Sequence, residues 1–87
     1  MKPALVWDEW NIDHIKKHKV SVQEVEEAYQ CPLFKTKAKA GRTLLIAKLK
    51  SGRMITVYLS YQKQIRPYLV SARDSSKKER RTVYEII

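Results

Sequence analysis

Two histidines and four arginines are the residues of this 87-residue chain with the clearest chemical capacity. His14 and His18 have side chains that titrate near neutrality, so either can take or give a proton at ordinary pH. Their four-residue spacing places both on one helical edge. Arg42, Arg53, Arg66 and Arg73 stay protonated and suit the charge of a phosphate, while Tyr61 and Tyr84 can orient a group or donate a proton. Arg73 is distinguished by its position in the stretch YLVSARDSSKKERRTVY, residues 68–84. Val70 and Ala72 share one strand parity, so if they point into a core, Arg73 leaves the opposite face and stands on an open surface. Ser76 and Glu79 have capping-box spacing, which starts a helix just after that strand end and makes an anion site there. Along this helix Lys77, Arg80, Arg81 and Tyr84 follow i, i+3, i+4, i+7, a stripe of three cations and a phenol. Such a stripe can hold a phosphate backbone or dock an acidic partner. The structural alternatives are an ion pair for Arg73, boundary packing for the histidines and core packing for the tyrosines.

Other chemistries find little support. The His14-x-x-x-His18 pair has the spacing of helical metal ligands but lacks the adjacent Glu and an evident third ligand, so no metal site is expected. No phosphate-binding loop, dinucleotide fingerprint or nucleophile elbow is present, and no cofactor is implied. Cys31 is the single cysteine and cannot form an internal disulfide.

The net charge of +9 is unevenly spread. Residues 1–31 hold four Lys against six Asp or Glu, a balance of −2, whereas residues 32–87 hold fourteen Lys or Arg against three acids, a balance of +11. The second part therefore carries the electrostatic footprint of a phosphate-binding surface. The length fits one domain over residues 1–87, and no membrane span or signal peptide is legible, which makes the expected location cytoplasmic.

The elements that must position these residues read as an α+β domain: two N-terminal helices and a C-terminal helix packed on a small antiparallel sheet. Pro3–Trp7 is a short apolar run and a candidate first strand, and Asp8 is an N-cap for a helix through WNIDHIKKH. Trp7, Asn11, His14 and His18 lie along one edge of it, with Trp10 beside them. Ser21 and Glu24 form a second capping box, with Val20 and Val25 spaced as a hydrophobic staple, for a helix running to about Gln30. Val22, Val25, Ala28 and Tyr29 make its apolar stripe, Glu24, Glu26 and Glu27 its wet side, and Pro32 ends it. Residues 33–40 suggest a weak edge strand protected by lysines. RTLLIAKLK, the turn Ser51-Gly52 and RMITVYLSY form a long hairpin. A further turn at Gln62–Gln64 leads to a last strand that starts at Arg66-Pro67.

Taken together, WDEWNIDHIKKHKVSVQEVEEAY, the long hairpin, and VSARDSSKKERRTVYE resemble the BrnT-like toxin family of bacterial type II toxin–antitoxin systems. The parts that carry the likeness are the Trp7-Asp8 opening, the His18-x-Val20-Ser21 step, and the Ser71-Ala72-Arg73 strand end before a basic helix. Two positions depart from the pattern: Lys19 stands where glycine is common, and His14 where many relatives have Asn. The resemblance implies a RelE-like fold and a metal-independent endoribonuclease that cleaves RNA to arrest translation. That reaction needs a base for the 2′-hydroxyl proton, cations for the pentavalent phosphate and an acid for the leaving 5′-oxygen. Arg73, His18, His14 and Tyr84 are the catalytic candidates, and Arg42, Arg53, Arg66, Lys77, Arg80 and Arg81 the RNA-binding ones. The likeness also implies a cognate antitoxin, a small DNA-binding protein whose dimer joins two toxin copies into a heterotetramer. The alternative reading is a non-catalytic nucleic-acid-binding module; a third is a purely protein-binding remnant.

Overall fold

A computed structural model describes residues 2–61 and 65–86. The expected Gln62–Gln64 turn lies outside these residues. The fold is α+β, with helices α1 (Glu9–Lys16), α2 (Val22–Gln30) and α3 (Lys77–Ile86) and strands β1 (Phe34–Lys37), β2 (Arg42–Lys48), β3 (Met54–Ser60) and β4 (Tyr68–Asp74). The four strands form one antiparallel sheet in the order β1-β2-β3-β4. This is a meander in which each strand pairs with its sequence neighbour, as the short connections require.

Each helix begins where a side chain can satisfy the unpaired N–H groups of its first turn. Asp8 accepts from the Asn11 N–H at 2.8 Å while Asn11 Oδ1 accepts from the Asp8 N–H at 2.9 Å. Ser21 with Glu24 and Ser76 with Glu79 repeat this reciprocal arrangement for α2 and α3. α1 ends earlier than its pattern suggests, so His18 lies in the turn after the helix. Lys19 there has φ 58°, the left-handed conformation that favours glycine. Gly52 has φ 96° in the β2–β3 turn, as expected of a hairpin glycine.

The main core lies between one sheet face and helices α1 and α2. Ile15, Val25, Ala28 and Tyr29 meet Leu45, Ala47, Ile55, Val57, Leu59, Leu69 and Ala72. On the opposite face, α3 covers only part of the sheet: Val83 packs with Ile46 and Met54, and Phe34 and Leu44 flank them. Among the described residues no other element covers the rest of that face, which positions the candidate site.

Three local expectations change. Pro3–Trp7 is not a strand: it makes a single parallel bridge, Val6 with Tyr68. Side chains take the carbonyls a strand partner would need, since Arg66 donates to Ala4 and Leu5 and Asn11 Nδ2 donates to Val6. In β4 the register shifts opposite Tyr58 and Leu59, so Leu69 and Ala72 both reach the main core while Val70 is only half-buried. The extra residue resets the side-chain alternation. The carboxylates of α2 are not a wet face: Glu26 accepts the Trp7 indole N–H at 2.7 Å and Glu27 accepts the Lys50 N–H at 2.6 Å.

Candidate nucleic-acid interface

Arg73 leaves β4 on the sheet face opposite the main core, as its parity with Ala72 predicts, but it does not stand free. Its Nη1 donates to Glu79 Oε1 at 2.8 Å and to the Asp74 carbonyl at 3.1 Å; its Nη2 donates to Glu79 Oε2 at 2.9 Å and to the Tyr58 hydroxyl oxygen at 3.1 Å. These four bonds use all four Nη hydrogens, and Nε–H has no acceptor among the described residues. The guanidinium also lies 5.7 Å from the centre of the Tyr58 ring. Pairing with Glu79, against burial, raises the Arg73 pKa further, so the group is a permanent cation.

Glu79 is more buried than Arg73, with 16% of its side chain exposed. Beyond Arg73 it accepts from the Ser76 N–H at 2.8 Å and from the Thr56 hydroxyl at 3.0 Å. Thr56 has one hydroxyl proton, so at 2.8 Å the buried Ser75 hydroxyl must be the donor to it. Burial pushes the Glu79 carboxyl upward, but the bonds from Arg73, Ser76 and Thr56 outweigh it and hold the pKa at about 2. A carboxylate so stabilised is a poor base at neutral pH. By contrast, the Tyr58 oxygen accepts from Arg73, and its own proton has no acceptor among the described residues.

Next to Tyr58 runs a groove of about 360 Å³ lined by Lys37, Ala38, Lys39, Arg42, Leu44 and Tyr58. Three cations and no carboxylate line it. On α3, Lys77, Arg80, Arg81 and Tyr84 are all exposed. Tyr84 does not approach Arg73 through any hydrogen bond; its hydroxyl donates to Met54 Sδ at 3.6 Å. Arg80 and Tyr84 instead share a second groove with Lys48, Arg53 and Asp74, where Arg53 and then Arg80 help hold the Asp74 carboxyl below its usual range.

The structure gives Arg53 and Arg66 different work from the phosphate binding their type suggests. Arg53 Nε donates to Asp74 at 2.6 Å, Nη1 to Glu24 at 3.0 Å and to the Lys19 carbonyl at 2.8 Å, and Nη2 to the His18 carbonyl at 3.4 Å. It clamps the α1–α2 turn to the end of β4, its charge offset by two carboxylates. Arg66 ties the N-terminal run to the sheet through the Ala4 and Leu5 carbonyls. Neither role was legible from residue type.

The histidines lie elsewhere. α1 packs on the main-core side of β4, and no hydrogen bond joins His14 or His18 to Arg73, Tyr58 or Glu79. Their rings meet edge to face with centroids 5.6 Å apart, and the Trp10 ring stacks on His14 at 5.0 Å with 7° between planes. No group of three or more His, Cys, Asp or Glu side chains able to hold a metal ion is found among the described residues. Tyr61 is half-buried and packs against the main core. Tyr58 is the site residue that sequence reasoning passed over. Its one signal was parity with Thr56 in β3, which places it on the Arg73 face once the β3–β4 register is fixed.

Among the described residues, no helix is long and apolar enough to cross a membrane. Comparison with protein-family models, curated proteins and solved structures finds no match to this chain.

Proposed function

We propose that this chain is the toxin component of a type II toxin–antitoxin system, a cytoplasmic, metal-independent endoribonuclease. The observation that carries the reading is the uncovered half of the second sheet face. There a carboxylate-free groove holding Lys37, Lys39 and Arg42 adjoins a tyrosine hydroxyl pinned by Arg73. Phosphate contacts from Arg and Lys position a nucleic acid without reading its sequence, and this groove supplies them. The cations of α3 extend the positive surface beyond Arg73.

In the cleavage step the 2′-hydroxyl oxygen attacks phosphorus and its proton passes to a base. The bond from phosphorus to the 5′-oxygen breaks, leaving a 2′,3′-cyclic phosphate and a 5′-hydroxyl that has gained a proton. Tyr58 donates a hydrogen bond or a proton on the side where charge develops, and Arg73 fixes its orientation and adds positive potential. Arg73 Nε–H can reach a phosphate oxygen without breaking the Glu79 pair. His14 and His18 serve as base only if RNA passes around the β4 edge.

That separation favours a second reading, a nucleic-acid-binding module without cleavage, because no histidine touches Arg73 and Glu79 is locked as an anion. Incubating the purified chain with RNA in EDTA, beside a 2′-deoxy analogue, separates the two. Cutting of RNA alone supports the nuclease; salt-sensitive binding to both strands with neither cut supports the module. An inhibitor with acidic and apolar groups would dock on Lys77, Arg80, Arg81 and Tyr84, and reversing Arg80 and Arg81 to Glu should weaken that association and flatten its salt dependence.

A further inference from the structure

We propose that Thr56, buried in the middle of β3, is a positioning residue for the cleavage chemistry: its hydroxyl fixes Glu79, and through Glu79 and Arg73 it sets where the Tyr58 oxygen stands. The proposal rests on the nuclease reading and adds to it a residue that never meets the RNA.

Thr56 is fully buried on the sheet face that α3 partly covers. Its cross-strand partners are Ile46 on β2 and Arg73 on β4. Ile46, Met54 and Val83 make the small apolar core of this face, and Met54 lies two residues before Thr56 on the same strand. Valine has nearly the shape of threonine and would extend that core. A hydroxyl in its place costs desolvation free energy unless its bonds are made. Here they are made. The Ser75 hydroxyl, itself buried, donates to Thr56 at 2.8 Å, and Thr56 donates to Glu79 Oε1 at 3.0 Å. The direction is fixed, because an ionised carboxylate only accepts.

From Glu79 the bonds run outward. Its Oε1 also accepts from the Ser76 N–H and from Arg73 Nη1, both at 2.8 Å, and its Oε2 from Arg73 Nη2 at 2.9 Å. The carboxylate is therefore held from two elements, the start of α3 through Ser76 and the sheet through Thr56. A planar guanidinium bound to both oxygens of a fixed carboxylate has one orientation. That orientation aims Nη2 at the Tyr58 oxygen, 3.1 Å away and two residues along the same strand face from Thr56. The last proton of the series, on Tyr58, has no acceptor among the described residues. For stability alone such a network offers little, since well-packed apolar groups in place of a buried polar set are often neutral or better. What it supplies is a fixed place for a proton donor.

The test is steady-state cleavage of a short RNA by the full chain in EDTA, well below the Tm of every variant. Thr56→Val keeps the shape and loses the hydroxyl. Its kcat should fall by about 10- to 100-fold, the upper figure being that for a group displaced by about 1 Å, while KM is unchanged because Lys37, Lys39 and Arg42 are untouched. Thr56→Ser keeps the hydroxyl and loses a buried methyl, so it should lower Tm yet cut at close to the parental kcat. If Thr56→Val does not fold, Thr56→Ala against Thr56→Ser makes the same comparison, the two differing only in the hydroxyl. In a Tyr58→Phe background Thr56→Val should lose most of its effect, because the oxygen it positions is gone. Activity that tracks Tm across these variants, an undiminished effect in the Tyr58→Phe background, or parental kcat in folded Thr56→Val overturns the positioning role and leaves the nuclease reading standing. A folded parent that cuts no RNA overturns both.

Discussion

Replacing Arg53 with alanine should destabilise the fold more than any other substitution of an exposed or half-exposed cation. Arg53 joins three elements: the α1–α2 turn through the His18 and Lys19 carbonyls, α2 through Glu24, and the end of β4 through Asp74. Its four contacts do not add. The Asp74 side chain is 68% exposed and regains water when the arginine is lost, so that bond contributes little. Glu24, 28% exposed, and the two carbonyls are harder to rehydrate. Counting one net bond to a charged group and one partly satisfied carbonyl gives about 2 kcal/mol. For a domain of this size that lowers Tm by about 8–16 °C. Arg53→Lys keeps the charge but cannot fork between carboxylates and carbonyls, and should recover less than half of the loss. Thermal unfolding followed by circular dichroism at neutral pH measures all three proteins. A Tm within about 2 °C of the parent for Arg53→Ala, or full recovery by Arg53→Lys, would refute the clamp.

Three further substitutions test other parts of the structure. Glu79 has a folded pKa of about 2 against an ordinary 4.5, so in that window the unfolded chain binds more protons. Its contribution is complete above pH 5 and is lost as the pH falls toward 2; Glu79→Gln should flatten the acid limb of a Tm–pH curve, whereas an unchanged limb would mean that the Arg73 pair is not formed. Asn11 is fully buried and donates to the Val6 and Leu69 carbonyls, both at 3.0 Å, so Asn11→Asp turns a donor into an anion facing two acceptors. It should cost about 3 kcal/mol or more, read as a lowered denaturant midpoint; a midpoint within error of the parent contradicts the bonding. Tyr58→Phe keeps the ring beside Arg73 and removes the free proton, so cleavage should fall by about 100-fold or more with little change in Tm. Undiminished cutting would exclude Tyr58 as the donor.

What could be read from the sequence was local. The Ser21/Glu24 and Ser76/Glu79 boxes fix helix starts within four residues of chain, and the alternation of Ile55, Val57 and Leu59 against Met54, Thr56 and Tyr58 fixes a strand and its faces. Both survive intact. What could not be read depends on distant partners. Arg53 and Arg66 look like any other cation until residues 21 to 62 positions away supply their acceptors. The β4 register shift is a one-residue change with no glycine or proline to mark it, yet it decides that Leu69 is buried and Val70 is not. For Arg73 the direction was legible and an ion pair was the stated alternative, but its partner Glu79 was not, although Glu79 already reaches back to the helix start and a guanidinium on the preceding strand end meets it there. The His14 and His18 rings meet although α1 ends before His18, and neither histidine is hydrogen-bonded to Arg73.

The central claim is that the Tyr58–Arg73 face acts on the RNA phosphate through the neighbouring 2′-hydroxyl. The most direct measurement is mass spectrometry of the products formed in EDTA from a short RNA and from the same RNA with one 2′-deoxy nucleotide at the cleavage position, using the parent and Arg73→Ala. The account predicts products ending in a 2′,3′-cyclic phosphate and a 5′-hydroxyl from the parent, no cut at the deoxy position, and a large loss of cutting with an intact fold for Arg73→Ala. Cleavage that continues at the deoxy position, or that is as fast in folded Arg73→Ala as in the parent, would contradict it.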